Sequence, residues 1–389
     1  MALLSLPAYL DWPAQFCLFC TVSTWIASLI TSNVSQVDRL WTFLPTIYTA
    51  YFALLPALPN VQPFWLAPYA PKALGWATLK DFSPRALLMF FLTFTWMCRL
   101  SYNTYRRGLF NLHDEDYRWI VLRRQLPPWL FQVINLTFIA AIQNMLLLLL
   151  ALPTYTASVL QPHTAFGTSD YALSIVALGL LAIEFTADNQ QYAFHGYKHA
   201  YLAKQDGKTK VKAYKPGEHW PLARLAWTPD DAKRGFITRG LWRYSRHPNF
   251  ACEQSFWWVI TLFPLLARSA PSFPALSEIP PLSILLESLV TPSLYPALIS
   301  SLWATFSPSL YYLSPALALS ALFFSSTAFT EDISRSKYPE AYAAYQKRVA
   351  MFLPIGTPLK ALIIKLLGGE KEQKRVNRLV WGASHVKQE

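Results

Sequence analysis

With 389 residues, of which 53% are hydrophobic, 15% aromatic and only 14% charged, the chain gathers its apolar residues into blocks too long for a soluble core. This composition excludes an ordinary soluble domain and predicts an all-α, polytopic transmembrane helical bundle. The net charge of +12 calls for no nucleic-acid partner, because juxtamembrane lysines and arginines facing anionic membrane lipids account for it.

A helix needs roughly 20 mostly apolar residues to cross a bilayer core of about 30 Å. Seven stretches qualify, near residues 14–31, 40–58, 85–103, 129–152, 171–195, 250–268 and 308–330. No lysine or arginine precedes the first, the earliest basic residue being Arg39. The positive n-region of a signal peptide is therefore missing, and this span is expected to be retained. Cys17, Cys20, Cys98 and Cys252 all fall in or beside apolar segments without a repeated CxxC pair, which predicts structural thiols.

Two charged groups lie between the early spans. One is Gln36/Asp38/Arg39; the other is the loop Asn111–Arg124, which combines Asp114, Glu115, Asp116 and Tyr117 with Arg118, Arg123 and Arg124. Both are either solvated charge pairs or candidates to cover a bound anion. On the fifth span, Glu184, Asp188, Gln191 and His195 follow one another at i, i+4, i+7 and i+11, one face of a helix. In lipid such a stripe faces the bundle interior or a water-filled cavity. It is read as a hydrogen-bond ladder or as a cavity lining, with Glu184 and Gln191 as substrate-binding candidates. His195 and His199 have i, i+4 spacing, but seven scattered histidines do not make the repeated histidine boxes of di-iron membrane enzymes, so no metal site is expected.

The polar loop 201–240 holds five lysines in Lys204–Lys215 and ends in Arg239-Gly240-Leu241-Trp242-Arg243-Tyr244-Ser245-Arg246-His247-Pro248-Asn249-Phe250-Ala251-Cys252-Glu253. A glycine, a proline and three arginines at a membrane entrance suggest guanidinium groups presented to a polyanion, with Glu253 carried into the next span as an ionisable group that lipid disfavours. Residues 269–307 are Pro- and Ser-rich yet apolar, and Pro271, Pro274, Pro280, Pro281, Pro292 and Pro296 argue for an interfacial or partly disordered loop, with 285–303 as a stretch able to re-enter the membrane. After Pro354, the run Leu359–Leu367 is amphipathic and Glu370–Arg378 is charged, as expected of a cytosolic segment lying on the membrane surface.

Orientation follows from the basic residues. The loops 104–128 and 196–249 with the tail 331–389 hold 28 of the 34 lysines and arginines, whereas the loops 59–84, 153–170 and 269–307 hold only Lys72 and Lys80. The positive-inside rule puts the first group and the C-terminus in the cytosol and the N-terminus on the other side. The expected organisation is a membrane-embedded domain over 1–354, its C-terminal half at 171–354 interrupted by the Pro- and Ser-rich stretch 269–307, and a basic tail over 355–389.

The Arg246–Glu253 stretch resembles the Arg-His-Pro-Asn-Tyr-x-Gly-Glu/Asp signature of the steroid 5-alpha-reductase and sterol-reductase superfamily. Glu331-Asp332, Lys337-Tyr338-Pro339, Tyr342, Tyr345, Val349 and Phe352-Leu353-Pro354 look like that superfamily's closing pattern. Upstream, Asn33–Trp41, Arg99–Asn103 and Glu115–Trp119 resemble one branch of it, the domain of unknown function 1295 group. The resemblance implies a membrane enzyme, placed in the endoplasmic reticulum by the same likeness, that uses NADPH to reduce a carbon–carbon double bond in a steroid, sterol or other lipid-like substrate. It implies cofactor roles for Arg243, Arg246, His247, Asn249 and Glu253, with Glu331, Tyr338, Tyr342 and Tyr345 as the second wall. Phe250-Ala251-Cys252 departs from Tyr-x-Gly. The proton donor is open, and Tyr48, Tyr102 and Asp188 are the catalytic candidates. Isoprenylcysteine carboxyl methyltransferases carry a similar Arg-His-Pro motif, so an S-adenosylmethionine-dependent methyltransferase is the alternative; a non-catalytic lipid-binding protein that kept the fold is the third reading.

Overall fold

The computed structural model describes residues 7–76, 78–207, 212–271 and 280–382. Lys208 and Lys210 of the polar loop, and residues 272–279 of the Pro/Ser-rich stretch, lie outside the described residues. Among the described residues there is no β-strand, only an isolated parallel bridge between Ser245 and Ala350. The helices in chain order are α1 (Asp11–Thr31), α2 (Gln36–Trp41), α3 (Leu44–Ala53), α4 (Pro84–Arg106), α5 (Tyr117–Gln125), α6 (Pro128–Ile134), α7 (Gln143–Leu149) and α8 (Leu152–Tyr155). They continue with α9 (Thr168–Gln205), α10 (Pro229–Arg234), α11 (Pro248–Leu265), α12 (Leu282–Val290), α13 (Tyr295–Lys337), α14 (Pro339–Arg348) and α15 (Gly356–Trp381).

Among the described residues four helical stretches are long and apolar enough to cross a membrane: Ala8–Thr31, Pro128–Leu160, Thr168–Gln205 and Ser309–Lys337. A pair bent by 117°, Leu282–Ser288 with Pro292–Ser307, makes a fifth if it is counted as one span. These helices make this an integral membrane protein. The remaining expected spans are helical but shorter or more polar. The second is broken between α2 and α3; the third, α4, carries Arg85 and Arg99; the sixth, α11, opens with Asn249, Glu253 and Gln254.

The expectation of a loop over 269–307 is corrected for its described part, which is largely helical. Pro281 caps α12, Pro292 opens a 3-10 turn and Pro296 is the second residue of α13. At such positions the missing N–H has no helical acceptor to lose.

The chain divides into two compact units, residues 1–177 with 257–319 and residues 178–256 with 320–389, so that the division falls inside α9, α11 and α13. In the first unit the core holds Leu44, Tyr48, Phe52, Met89, Leu92, Trp96 and Trp257. Polar pairs link its helices: Asn135 Nδ2 donates to Ser28 Oγ (2.9 Å) and Asn144 Nδ2 to Thr24 Oγ1 (3.3 Å). Arg85 Nε and Nη2 meet Asp170 at 2.7 and 3.1 Å, both side chains almost wholly buried.

The charged loop after α4 closes on the segment after α1. Asn33 Nδ2 donates to Leu112 O and Asp114 O, Val34 N to Glu115 Oε1 and Trp119 Nε1 to Asp38 Oδ2 (2.9 Å). Arg39 Nη2 donates to Asn111 O and Asp114 O. Both charged groups of the early loops therefore spend these contacts on each other. Arg118 at 2.9 Å holds the Asp116 carboxyl low against the opposing effect of its burial.

Candidate functional site

In the second unit, the approach to α11 is built by a turn that needs glycine. Gly240 has φ +63°, and a Cβ there would stand 2.5 Å from Gln190 Oε1. Gln190 accepts from Leu241 N (2.9 Å) and donates to Leu222 O (3.1 Å), so one α9 side chain fixes the turn. Ahead of it, the Thr228/Asp231 capping box starts α10, Gly235 (φ +87°) ends it, and Asp231 takes both Arg234 and Arg239, the latter at 2.6 Å.

The two distant motifs then meet. Segment 245–247 runs beside 349–351: Arg246 N donates to Ala350 O (2.9 Å), His247 N to Met351 O (3.1 Å), and Ser245 Oγ to Met351 O (3.1 Å). Tyr345 Oη donates to Trp242 O (2.5 Å) from a position 2% exposed, and burial pushes its phenol up. Pro248 supplies the first residue of α11, where no N–H is needed.

At the junction, Glu331 of α13 is saturated. It accepts Arg246 Nε at 2.6 Å and Nη2 at 2.9 Å, His247 Nε2 at 2.9 Å and Gln346 Nε2 at 2.9 Å. A carboxylate offers about four lone-pair sites, so Glu331 has no capacity left to act as a base. Arg246 Nη1 donates to Val349 O and, at 3.3 Å, to Gln346 O. The guanidinium is thus turned onto protein acceptors at the end of α14, where a cation also suits the helix dipole. Because a carboxylate only accepts, His247 carries its proton on Nε2. Burial pushes the imidazole below its ordinary value, against the pull of Glu331.

Asn249 sits one turn before Glu253 on α11, and both are buried. Asn249 Nδ2 donates to Asp188 Oδ1 of α9 (3.2 Å), while its Oδ1 is buried and has no hydrogen-bond partner among the described residues. Glu184, one turn before Asp188, is fully buried. Of the expected stripe, Gln191 is half-buried and His195 exposed; Gln190, beside them, is buried and bonds the turn at Leu241. Phe250 stacks on His247 (5.7 Å, 17°) and meets Phe323 edge-on. The ring at this position thus packs between an imidazole and a phenyl group, with no hydroxyl to bond.

Other expected residues take structural places. Tyr338 packs against Gly235 and Phe236, and Tyr342 lies 4.9 Å from Phe236 in an aromatic core with Tyr345, Val376 and Val380. Arg243 and Arg348 both lie over the Trp381 ring, at 4.9 and 4.8 Å. Tyr48 and Tyr102 belong to the first unit: Tyr48 is fully buried against Phe16, and Tyr102 is 52% exposed under Arg106. Residues the sequence did not single out are Gln190, Ser245, Gln346, Thr357 and Lys360. Thr357 alone had a local signal, a hydroxyl between the Gly356 and Pro358 that open α15.

Comparison with known proteins agrees with one part of the resemblance. The family model described as protein of unknown function (DUF1295) matches residues 24–288. An uncharacterized protein of Schizosaccharomyces pombe is 31% identical over 330 residues, covering 85% of this chain and 75% of that protein. No solved structure matches. The chain belongs to the DUF1295 family.

Proposed function

We propose that this protein is a membrane oxidoreductase of the steroid 5-alpha-reductase superfamily that uses NADPH to reduce a carbon–carbon double bond in a steroid, sterol or other lipid-like substrate. The observation that carries the reading is the orphaned acceptor of Asn249. Its amide is oriented by Asp188, and its buried Oδ1 looks for a donor; leaving such an atom unmatched costs about 1–3 kcal/mol. A carboxamide N–H of a nicotinamide is a donor of that kind.

The residues fit the nicotinamide-ribose portion of the cofactor, since Asn249, Asp188 and Glu253 supply acceptors for amide and hydroxyl donors. When bound, NADPH supplies the hydride. The protein's part is to orient and to exclude water. Asp188 fixes the Asn249 amide, and Glu331 holds Arg246, His247 and Gln346 in one network. His247 stays neutral at neutral pH, with its ring stacked on Phe250. On this reading Arg246 positions the wall of the site, and the phosphates are held by other cations.

The same reading takes α1, the broken α2–α3 pair, α4, the α6–α8 stretch, α9, α11 and α13 as seven crossings. The N-terminus is then non-cytosolic, and the basic loops and tail are cytosolic. An endoplasmic-reticulum location follows from the superfamily.

One observation favours a second reading. With Arg246 engaged by Glu331, the buried carboxyl groups on the second unit's part of α9 and at the start of α11 are Glu184, Asp188 and Glu253. Such an acceptor-rich lining suits ribose hydroxyls and a sulfonium, as in an S-adenosylmethionine-dependent methyltransferase. Titration of the purified protein with each cofactor separates the two. Saturable binding of NADPH supports the reductase, and binding of S-adenosylmethionine alone transfers the site to the methyltransferase.

A further inference from the structure

The last helix is two helices joined at Gly369, whose backbone (φ 69°, ψ 179°) leaves the helical region. Beyond the joint, Val376, Val380 and Trp381 are buried with Tyr342 and Tyr345. Before it, the surroundings differ by face. Leu359, Leu362, Ile363, Leu366 and Leu367 are 45–86% exposed and, at spacings of three and four, form one stripe. Leu353 and Ile355, 67% and 80% exposed, extend it towards the α14 end.

The opposite face is bonded to the candidate site. Thr357 Oγ1 donates to Tyr244 O (2.6 Å) and accepts from Ala350 N (2.9 Å). Lys360 Nζ donates to Gln346 O (2.6 Å) and Val349 O (3.3 Å), the same two carbonyls that Arg246 Nη1 reaches. Ile364 is buried.

We propose that residues 356–368 are an in-plane membrane helix, the apolar stripe sunk into the hydrocarbon of one phospholipid monolayer, and that this seating holds the 349–351 segment and Arg246 in place. The proposal concerns the scaffold and does not depend on which cofactor the site takes. Three observations favour lipid as the occupant. The chain already carries helices apolar enough to cross a bilayer. The stripe covers one face of a segment too short to cross, which needs roughly 20 residues. Exposed Lys365 lies on the segment and exposed Lys371, Lys374, Arg375 and Arg378 follow it, Arg375 paired with Glu372; the net positive charge suits anionic headgroups and opposes the approach of a second copy of the same basic surface.

The test places a fluorescent non-canonical amino acid at position 366 or 371 of the full chain in phospholipid nanodiscs. Lipids brominated along the acyl chain should quench position 366 strongly and position 371 weakly, and aqueous iodide should do the reverse. Equal iodide quenching at both positions, or a position 366 that neither quencher reaches because protein covers it, overturns the proposal. The coupling has its own readout. Ile363→Asp with Leu366→Asp should speed hydrogen exchange of the Arg246, His247 and Ala350 amides by about tenfold. Peptides around Arg85 and Asp170, in the other unit, should be unchanged. Unaltered exchange at 246–247 and 350 would overturn the coupling.

Discussion

Arg246 and Glu331, 85 residues apart in sequence, form a two-point ion pair with Nε–Oε1 at 2.6 Å and Nη2–Oε2 at 2.9 Å, each side chain 5% exposed or less. Removing one partner of a buried pair costs about 3–5 kcal/mol, because the other charge is stranded. Arg246→Met and Glu331→Gln should therefore each destabilise strongly, and the double variant should lose much less than the sum. A double-mutant cycle on unfolding in detergent measures this; additive losses would mean that the pair is not coupled.

His247 predicts a pH dependence whose sign is fixed. In the unfolded chain its imidazole takes a proton near pH 6.5, while burial holds the folded value lower. Below about pH 6.5 the unfolded state binds more protons, so the stability this group contributes is present above that value and is lost as pH falls through the folded one. His247→Gln, which keeps an N–H for Glu331, should flatten the fall in thermal midpoint below about pH 6.5. An unchanged profile would assign the acid sensitivity to other groups.

Two glycines separate backbone strain from packing. Gly207 and Gly240 both have positive φ, +69° and +63°, but among the described residues a Cβ meets nothing within 4 Å at the first and the Gln190 amide at 2.5–2.7 Å at the second. Gly240→Ala should be less stable than Gly207→Ala by about 1–3 kcal/mol, the usual range for overpacking. Equal losses in unfolding would show that Gln190 yields freely and does not fix the turn.

The proposed orientation makes a labelling prediction. In sealed microsomes, a cysteine placed at Lys371 should react with an impermeant maleimide added from the cytosolic face, and one at Lys72 only after the membrane is opened. Reversed labelling would invert the topology.

The helical, membrane-embedded character of the chain was legible because apolar runs of this length have few other solutions. So was the meeting of the Arg-His-Pro and Tyr-x-x-Tyr segments, from the family-like pairing of the motifs. The partner of Arg246 was not, since a guanidinium reads the same in sequence whether it faces a phosphate or a carboxylate, and Glu331 lies 85 residues away. On α9 the i, i+4 spacing identified Glu184 and Asp188, yet picked Gln191 over Gln190. The helix buries all of residues 187–190, a wider face than a single stripe. The tail read as one surface segment because the break at Gly369, which returns its charged half to the protein, is a backbone event set by packing.

Binding of NADPH to the wild type and to Asn249→Ala, followed in detergent by thermal stabilisation or quenching of the 15 tryptophans, tests the central claim most directly. The account predicts saturable stabilisation of the wild type and roughly tenfold weaker binding to the variant, the equivalent of one hydrogen bond of about 1.4 kcal/mol. A wild type that ignores NADPH but is stabilised by S-adenosylmethionine would contradict it.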